Sequence, residues 1–321
     1  MIDFRYHLVS IVAIFLALAT GILLGTTLLQ DPALDAAEKL SEQLTTEKQE
    51  LRTQLDELRR RETGNDSFVT AMTGQLVAGG LTGQNVVLVE TPGSTASLRE
   101  QQQAVLEEAG AKVVGRISIA ERYLDPKSTL LDQLSAQLKP VATTFPATAT
   151  PYEKAAAVLG GALMTQGGEE PPAPVGDTVI SAFETAGLIS VEQDLTARAS
   201  LAVLFAPETV FKGDNAELQA DGLVALAAGL DQAGRGTVVT ATITATATGG
   251  VLAAVRDGDA ARTVSTVDTP DLPAGRIVVV YALQEQQAGG AGQYGVGTGA
   301  SGFQPPVVAP TATPTPTSSG S

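Results

Sequence analysis

Histidine and cysteine carry most proton transfer, nucleophilic attack and soft-metal ligation near neutral pH. This 321-residue chain has one histidine, His7, and no cysteine. Ser-His-Asp and Cys-His catalysis both need an imidazole beside the nucleophile, and His7 precedes a membrane-length apolar run that is expected to keep it on the cytoplasmic side, away from the domain that follows. No catalytic residues and no cofactor-binding residues are expected, and the spacing yields no metal-ligand set. Glu107-Glu108 and Glu169-Glu170 are adjacent pairs, so on a helix or strand their carboxylates point in different directions and read as solvated surface. Gly297-Thr298-Gly299-Ala300-Ser301-Gly302 fits the G-x-G-x-x-G pattern. However, Pro305-Pro306 follow where a phosphate-binding helix would have to begin. The turn Pro92-Gly93-Ser94-Thr95 opens a helix; an anion site there is conceivable, and an ordinary cap is the simpler reading.

Charge narrows the partners. Lys+Arg is 20 against Asp+Glu 35, a formal charge of −15 and a pI near 4.5. A nucleic-acid binder needs a basic face to neutralise phosphates, and a polybasic grip on anionic lipid needs the same. Neither is expected. Without cysteine there are no disulfides, thiolate ligands or lipidated cysteine.

The elements that must position any site begin with an uncharged, apolar run from Leu8 to Leu29, 22 residues long. At 1.5 Å per residue it covers roughly 33 Å, enough to cross a bilayer. Arg5 and His7 precede it while Asp31 and Asp35 follow. The positive-inside rule therefore puts residues 1–7 in the cytoplasm and the bulk outside a single-pass cell-membrane anchor, residues 8–29. Ala17-Leu18-Ala19 resembles a signal-peptidase site, but the apolar run continues ten residues past it, which favours an uncleaved anchor. Ala13, Ala17, Gly21 and Gly25 recur every fourth residue and would let two membrane helices approach closely.

Asp31-Pro32 can cap and open the next helix. Leu34, Ala37, Ser41, Leu44, Lys48, Leu51, Leu55 and Leu58 then alternate in steps of three and four, filling the a and d positions of a coiled coil over residues 33–61. A lone amphipathic helix folded on the domain is the alternative. Thr63-Gly64-Asn65-Asp66 is expected to break the helix. The small-residue face is expected to run on into the seam, making anchor and stalk one pairing device and the protein a homo-oligomer.

Beyond the stalk the fold class is α/β, with one extracytoplasmic domain over residues 68–287 built on a mainly parallel sheet. Strand Asn85–Glu90, a helix to Ala109, Gly110 and strand Lys112–Ile119 form a βαβ unit. Helices are expected at Tyr152–Met164, Val175–Ala186 and Glu217–Gln232, and strands at Leu201–Phe205, Thr237–Thr246 and Ile277–Leu283. Thr240, Thr242, Thr244, Thr246 and Thr248 alternate with apolar residues, the mark of a half-exposed strand. Residues 288–321, Gly-rich and then Pro/Thr-rich, have the composition of a disordered tail.

Several motifs carry a family resemblance. Met1-Ile2-Asp3-Phe4-Arg5-Tyr6-His7, the Phe15–Ala19 core, Gly21–Gly25, the leucine stalk, Val264–Asp268, Ala282-Leu283 and Gly292–Gly295 resemble the mycobacterial copper transport protein B family of actinobacteria. The resemblance implies an envelope protein described as an outer-membrane copper transporter that removes copper from the cell. Copper would then be the transported ion and no cofactor. It also implies a companion envelope protein acting in cell division and peptidoglycan cleavage. The donors copper prefers are few, since on the exported side of the anchor only Met72 and Met164 offer sulfur and there is no histidine. The residues themselves favour a non-catalytic coiled-coil interaction protein that regulates envelope enzymes.

Overall fold

The computed structural model describes residues 4–139, 144–167 and 174–306, with side chains throughout except at 27–38 and 174–176. The chain divides into two compact units, Met1–Asn65 and Asp66–Ser321. The first is helical, the larger part of a helix α1 that spans Phe4–Val77.

The second unit is a sheet covered on both faces. Strands β1 (Asn85–Glu90), β2 (Lys112–Ile119), β3 (Ile189–Gln193), β4 (Leu201–Phe205), β5 (Thr237–Thr240), β6 (Ser265–Val267) and β7 (Gln293–Tyr294) lie in the order β3-β2-β1-β4-β5-β6-β7. Every neighbouring pair is parallel except β2 and β3. Central strands enclosed on both faces read as continuous apolar runs. In β1, Val87 and Val89 enter one core while Val86 and Leu88 enter the other; in β4, Ala202 and Leu204 oppose Leu201, Val203 and Phe205 in the same way.

Helices α3 (Leu130–Leu138), α4 (Pro151–Leu163), α5 (Pro174–Thr185), α6 (Ala216–Ala233) and α7 (Val251–Asp257) contribute to the first core. Helices α2 (Ala96–Glu108) and α8 (Pro273–Gln287), with the end of α1, build the second. Helix α4 starts on a full capping box, Thr150 with Glu153, and Pro151 fills the first turn. It crosses α6 at a glycine pair: a Cβ on Gly160 would lie 2.5 Å from the Gly229 carbonyl oxygen. Any larger residue would push the two helices apart.

The βαβ unit β1-α2-β2, the parallel sheet and the helices near residues 152, 175 and 217 follow the sequence reading. Four expectations do not. The break at Thr63–Asp66 is absent, because α1 continues and buries Thr73 and Val77 against the second core, where Val69 also packs. The Tyr281 hydroxyl donates to the Leu76 carbonyl at 3.1 Å. Burial of that last stretch outweighs the weak helix propensity of Gly64 and Asn65, about 1 kcal/mol for a glycine.

Residues 277–283 are helix, the buried middle of α8. Strands β6 and β7 are parallel neighbours joined through a crossover, and a helix there overrides the β preference of the Ile277–Val280 run. The strand expected at Thr237–Thr246 ends at Thr240, and Ile243–Thr246 is a 3-10 turn. Thr237 and Thr240 are fully buried, because β5 lies inside the sheet between β4 and β6. Residues 288–306, expected to be tail, contain β7 and the loop behind it. Residues 307–321 lie outside the described residues.

Candidate functional site

Helix α1 offers the larger exposed apolar surface. From Phe4 to Thr26 it is apolar and long enough to cross a bilayer, and none of it is buried. The hydroxyls of Thr20 and Thr26 bond back to the Leu16 and Ile22 carbonyls at 2.8 and 2.9 Å. Thr45, Thr46 and Thr53 make the same bond in the polar part of α1, so it is a habit of threonine in this helix and leaves no hydroxyl free in an apolar surround. Nothing lies within 4 Å of a Cβ built on Gly21 or Gly25. Ala13 and Ala17 complete that ladder on the same exposed helix.

Further along, Leu44, Leu51, Leu55 and Leu58 are 51–59% exposed. Ser41 precedes them and Lys48 stands between Leu44 and Leu51, both also exposed. Leu34 and Ala37 lie on the helix backbone, but their side chains fall outside the described residues. The leucine stripe and the ladder do not form one continuous face. Carrying the heptad letters back along the unbroken helix puts Ala13 at a and Ala17 at e, but Gly21 at b and Gly25 at f, turned away from a and d. A four-residue repeat drifts off a 3.5-residue seam, so the single pairing device read from the sequence becomes two separate faces.

The other residues with chemical potential stay apart. His7 is exposed on α1 and Met72 is half-buried. Met164 is 1% exposed, with its methyl 2.5 Å from where a Cβ on Gly234 would sit. Its thioether is core filling. Glu107 accepts from Gln103 at 2.9 Å, whereas Glu169 and Glu170 lie outside the described residues. Among the described residues no three of His, Cys, Asp and Glu converge on a point that could hold a metal ion.

The carboxyl ends of β2, β1 and β4 frame a crevice of about 520 Å³. Strand order reverses there, between β1 and β4, which is where open α/β sheets usually bind ligands. Its walls include Pro92, Pro207 and Phe211, with Glu121 and Asp125 as its charged residues. Its neutral donors are Thr209, Asn215 and Gln219, it has no basic residue among the described residues, and the Glu121 and Asp125 carboxylates repel phosphate, a poor setting for a nucleotide. The Gly93 carbonyl accepts from the Glu208 amide at 3.1 Å, tying the two loops together.

The most developed polar cluster was not singled out from the sequence. Arg256 Nη2 lies 3.0 Å from Asp268 Oδ2, with side chains 2% and 0% exposed. Arg256 also donates to Thr266 Oγ1 at 2.8 Å and to the Thr298 and Tyr294 carbonyls at 2.8 and 2.9 Å. Asp268 accepts from the Val296 and Gly297 amides, both at 2.9 Å. Beside it the Tyr294 hydroxyl donates to Glu285 at 2.6 Å, and burial together with that carboxylate pushes the phenol's pKa up. Gly295 sits at φ +124°, and a Cβ there would fall 1.9 Å from Asp268 Oδ1. The signal was present as two separate motifs, Val264–Asp268 and Gly292–Gly295; pairing of β6 with β7, Thr266 to Gln293 and Val267 to Tyr294, joins them. The G-x-G-x-x-G stretch is thus a loop clamped by an ion pair, and the described residues behind it, 303–306, are not helical.

A membrane-length apolar helix carrying a doubly covered, mainly parallel α/β unit defines the class: a membrane-associated α/β protein. The family model described as copper transport outer membrane protein, MctB, matches residues 1–305, and the chain belongs to that family. It is similar to the copper transporter MctB of Mycobacterium tuberculosis and of Mycobacterium bovis, each 29% identical over 311 residues, 94% of this chain and 98% of the relative. The copper transporter MctB of Mycobacterium leprae is 29% identical over 327 residues, 95% of this chain and all of the relative. The family that the sequence motifs resembled is therefore the family of the whole chain.

Proposed function

We propose that this chain is a single-pass envelope protein, with its N-terminus in the cytoplasm and its α/β unit outside, that acts in copper efflux and copper homeostasis. The observation that carries this reading is the family match from residue 1 to residue 305, which takes in the exposed apolar helix and the α/β unit together. Copper is then cargo. Copper favours thiolate, thioether and imidazole donors, and this chain supplies a buried Met164, a half-buried Met72 and, on the far side of the anchor, Met1 and His7. Its own part is therefore non-catalytic: placement and assembly in the envelope, with an acidic surface that draws cations toward it. Whether the last station is the inner or the outer membrane follows from fractionation.

The test is the copper content of a deletion strain after copper loading. Raised cell-associated copper, restored by the full chain, supports the reading; unchanged copper sinks it. The exposed leucine stripe favours a second reading, in which α1 recruits a companion envelope protein and regulates division and peptidoglycan-cleaving enzymes. Normal copper together with failed cell separation in the same strain would select that one.

A further inference from the structure

We infer that the leucine face of α1 between Leu40 and Leu58 seats the same face of a second copy of this chain, parallel and in register, with Glu47 of each copy against Arg52 of the other. The face is bare: Leu40, Leu44, Leu51, Leu55 and Leu58 are each more than half exposed, in a regular row on an unbroken helix. Isolated helices do not hold such rows in water, and a packed partner is the usual remedy.

Charge complementarity chooses the occupant. With Leu44 and Leu51 at d and Ser41, Lys48 and Leu55 at a, Glu47 falls at g and Arg52 at the following e. In a parallel, in-register pair a g residue meets the e residue five positions on in the other helix. Glu47 and Arg52 therefore attract twice across the symmetric pair. Lys48, at a, has a long apolar stem that lies along the seam while its ammonium reaches Glu47 of the second copy. Polar a positions at Ser41 and Lys48 lower stability but specify register.

The row also stops where the domain starts. The next a and d positions are Glu62 and Asn65, and Asp66 opens the second compact unit. Beyond it, Thr73 and Val77 are already buried in their own domain. Parallel orientation alone rests on the anchored reading above: two copies whose Phe4–Thr26 segments enter one bilayer must run the same way. The seam itself does not depend on copper.

The absence of native cysteine makes the test direct. Single variants Leu44→Cys, Leu51→Cys and Thr53→Cys are made in the full detergent-solubilised chain and mildly oxidised. Disulfide-linked dimers at Leu44→Cys and Leu51→Cys, with Thr53→Cys at outward-facing f remaining monomeric, are the expected result. Glu47→Arg alone and Arg52→Glu alone should each weaken pairing about fivefold, the worth of two exposed ion pairs, and the double variant should recover part of that loss, because the reversed pair attracts again while Lys48 then faces a like charge. Equal cross-linking at Thr53→Cys, no cross-linking at either seam position, or no recovery in the double variant overturns the proposal. Copper content of cells carrying the charge variants is read separately, so pairing can fail while the copper reading stands, and the reverse.

Discussion

Arg256 and Asp268 meet at 3.0 Å between helix α7 and the end of β6, with both side chains closed to water, and together they hold the backbone of residues 294–298. The guanidinium satisfies a carboxylate, a hydroxyl and two carbonyls. The carboxylate takes two amides as well as the guanidinium. A buried pair this fully bonded is weak as a source of net stability but costly to break on one side.

Removing one partner should therefore be severe. Arg256→Met or Asp268→Leu alone is expected to lower unfolding stability by about 3–5 kcal/mol. The double variant should lose less than the sum, because its remaining cost is the two amides left without an acceptor, about 1–3 kcal/mol each. Urea unfolding of all three checks this. Additive losses would mean the pair is not a unit.

Gly295→Ala places a methyl where Asp268 Oδ1 now sits and demands a left-handed backbone of a residue that resists it. The loop should detach from the sheet edge while the central strands stay folded. Hydrogen exchange reads this as lost protection at Val296 and Gly297 with β1 and β4 unchanged. Full protection at both amides would refute it.

Asp231, near the end of α6, gives a pH signature. Burial raises its pKa from 3.8 to about 6, and bonds from Thr263 and the Thr237 backbone pull the other way. The folded state binds more protons than the unfolded state between these values, so this carboxyl's contribution to stability falls as pH rises from 3.8 through 6 and stays lost above. Asp231→Asn should gain on the parent between pH 4 and pH 7 in melting temperature. A constant difference across that range would contradict the assignment.

The glycine ladder and the leucine seam should be separable. Gly21→Leu with Gly25→Leu fills positions turned away from a and d, so cross-linking through Leu51→Cys is expected to persist in that background. Loss of cross-linking would mean that the membrane segment, and not the seam, drives pairing.

The βαβ unit was legible because each part announces itself locally: an apolar strand at Val86–Val89, a polar helix and Gly110 as its stop. The membrane-length helix and the leucine row were legible for the same reason, as periodicity within one continuous segment. Missed were β3, α3, α7, β6 and β7, which are short or depend on neighbours for their burial. Ile277–Val280 was misread because a β-branched run suits a buried helix as well as a strand, and local sequence does not say which.

The sequence by itself determined the membrane-length apolar segment, the heptad row, the α/β class and the scarcity of copper-type donors, all properties of residue type and spacing along the chain. Only the tertiary structure decided that α1 runs on through Gly64, that the Gly-rich stretch is part of the sheet edge, and that Arg256 reaches Asp268. Those outcomes turn on burial and on contacts between residues far apart in sequence. Strand pairing and packing supply such contacts, and local propensity does not encode them.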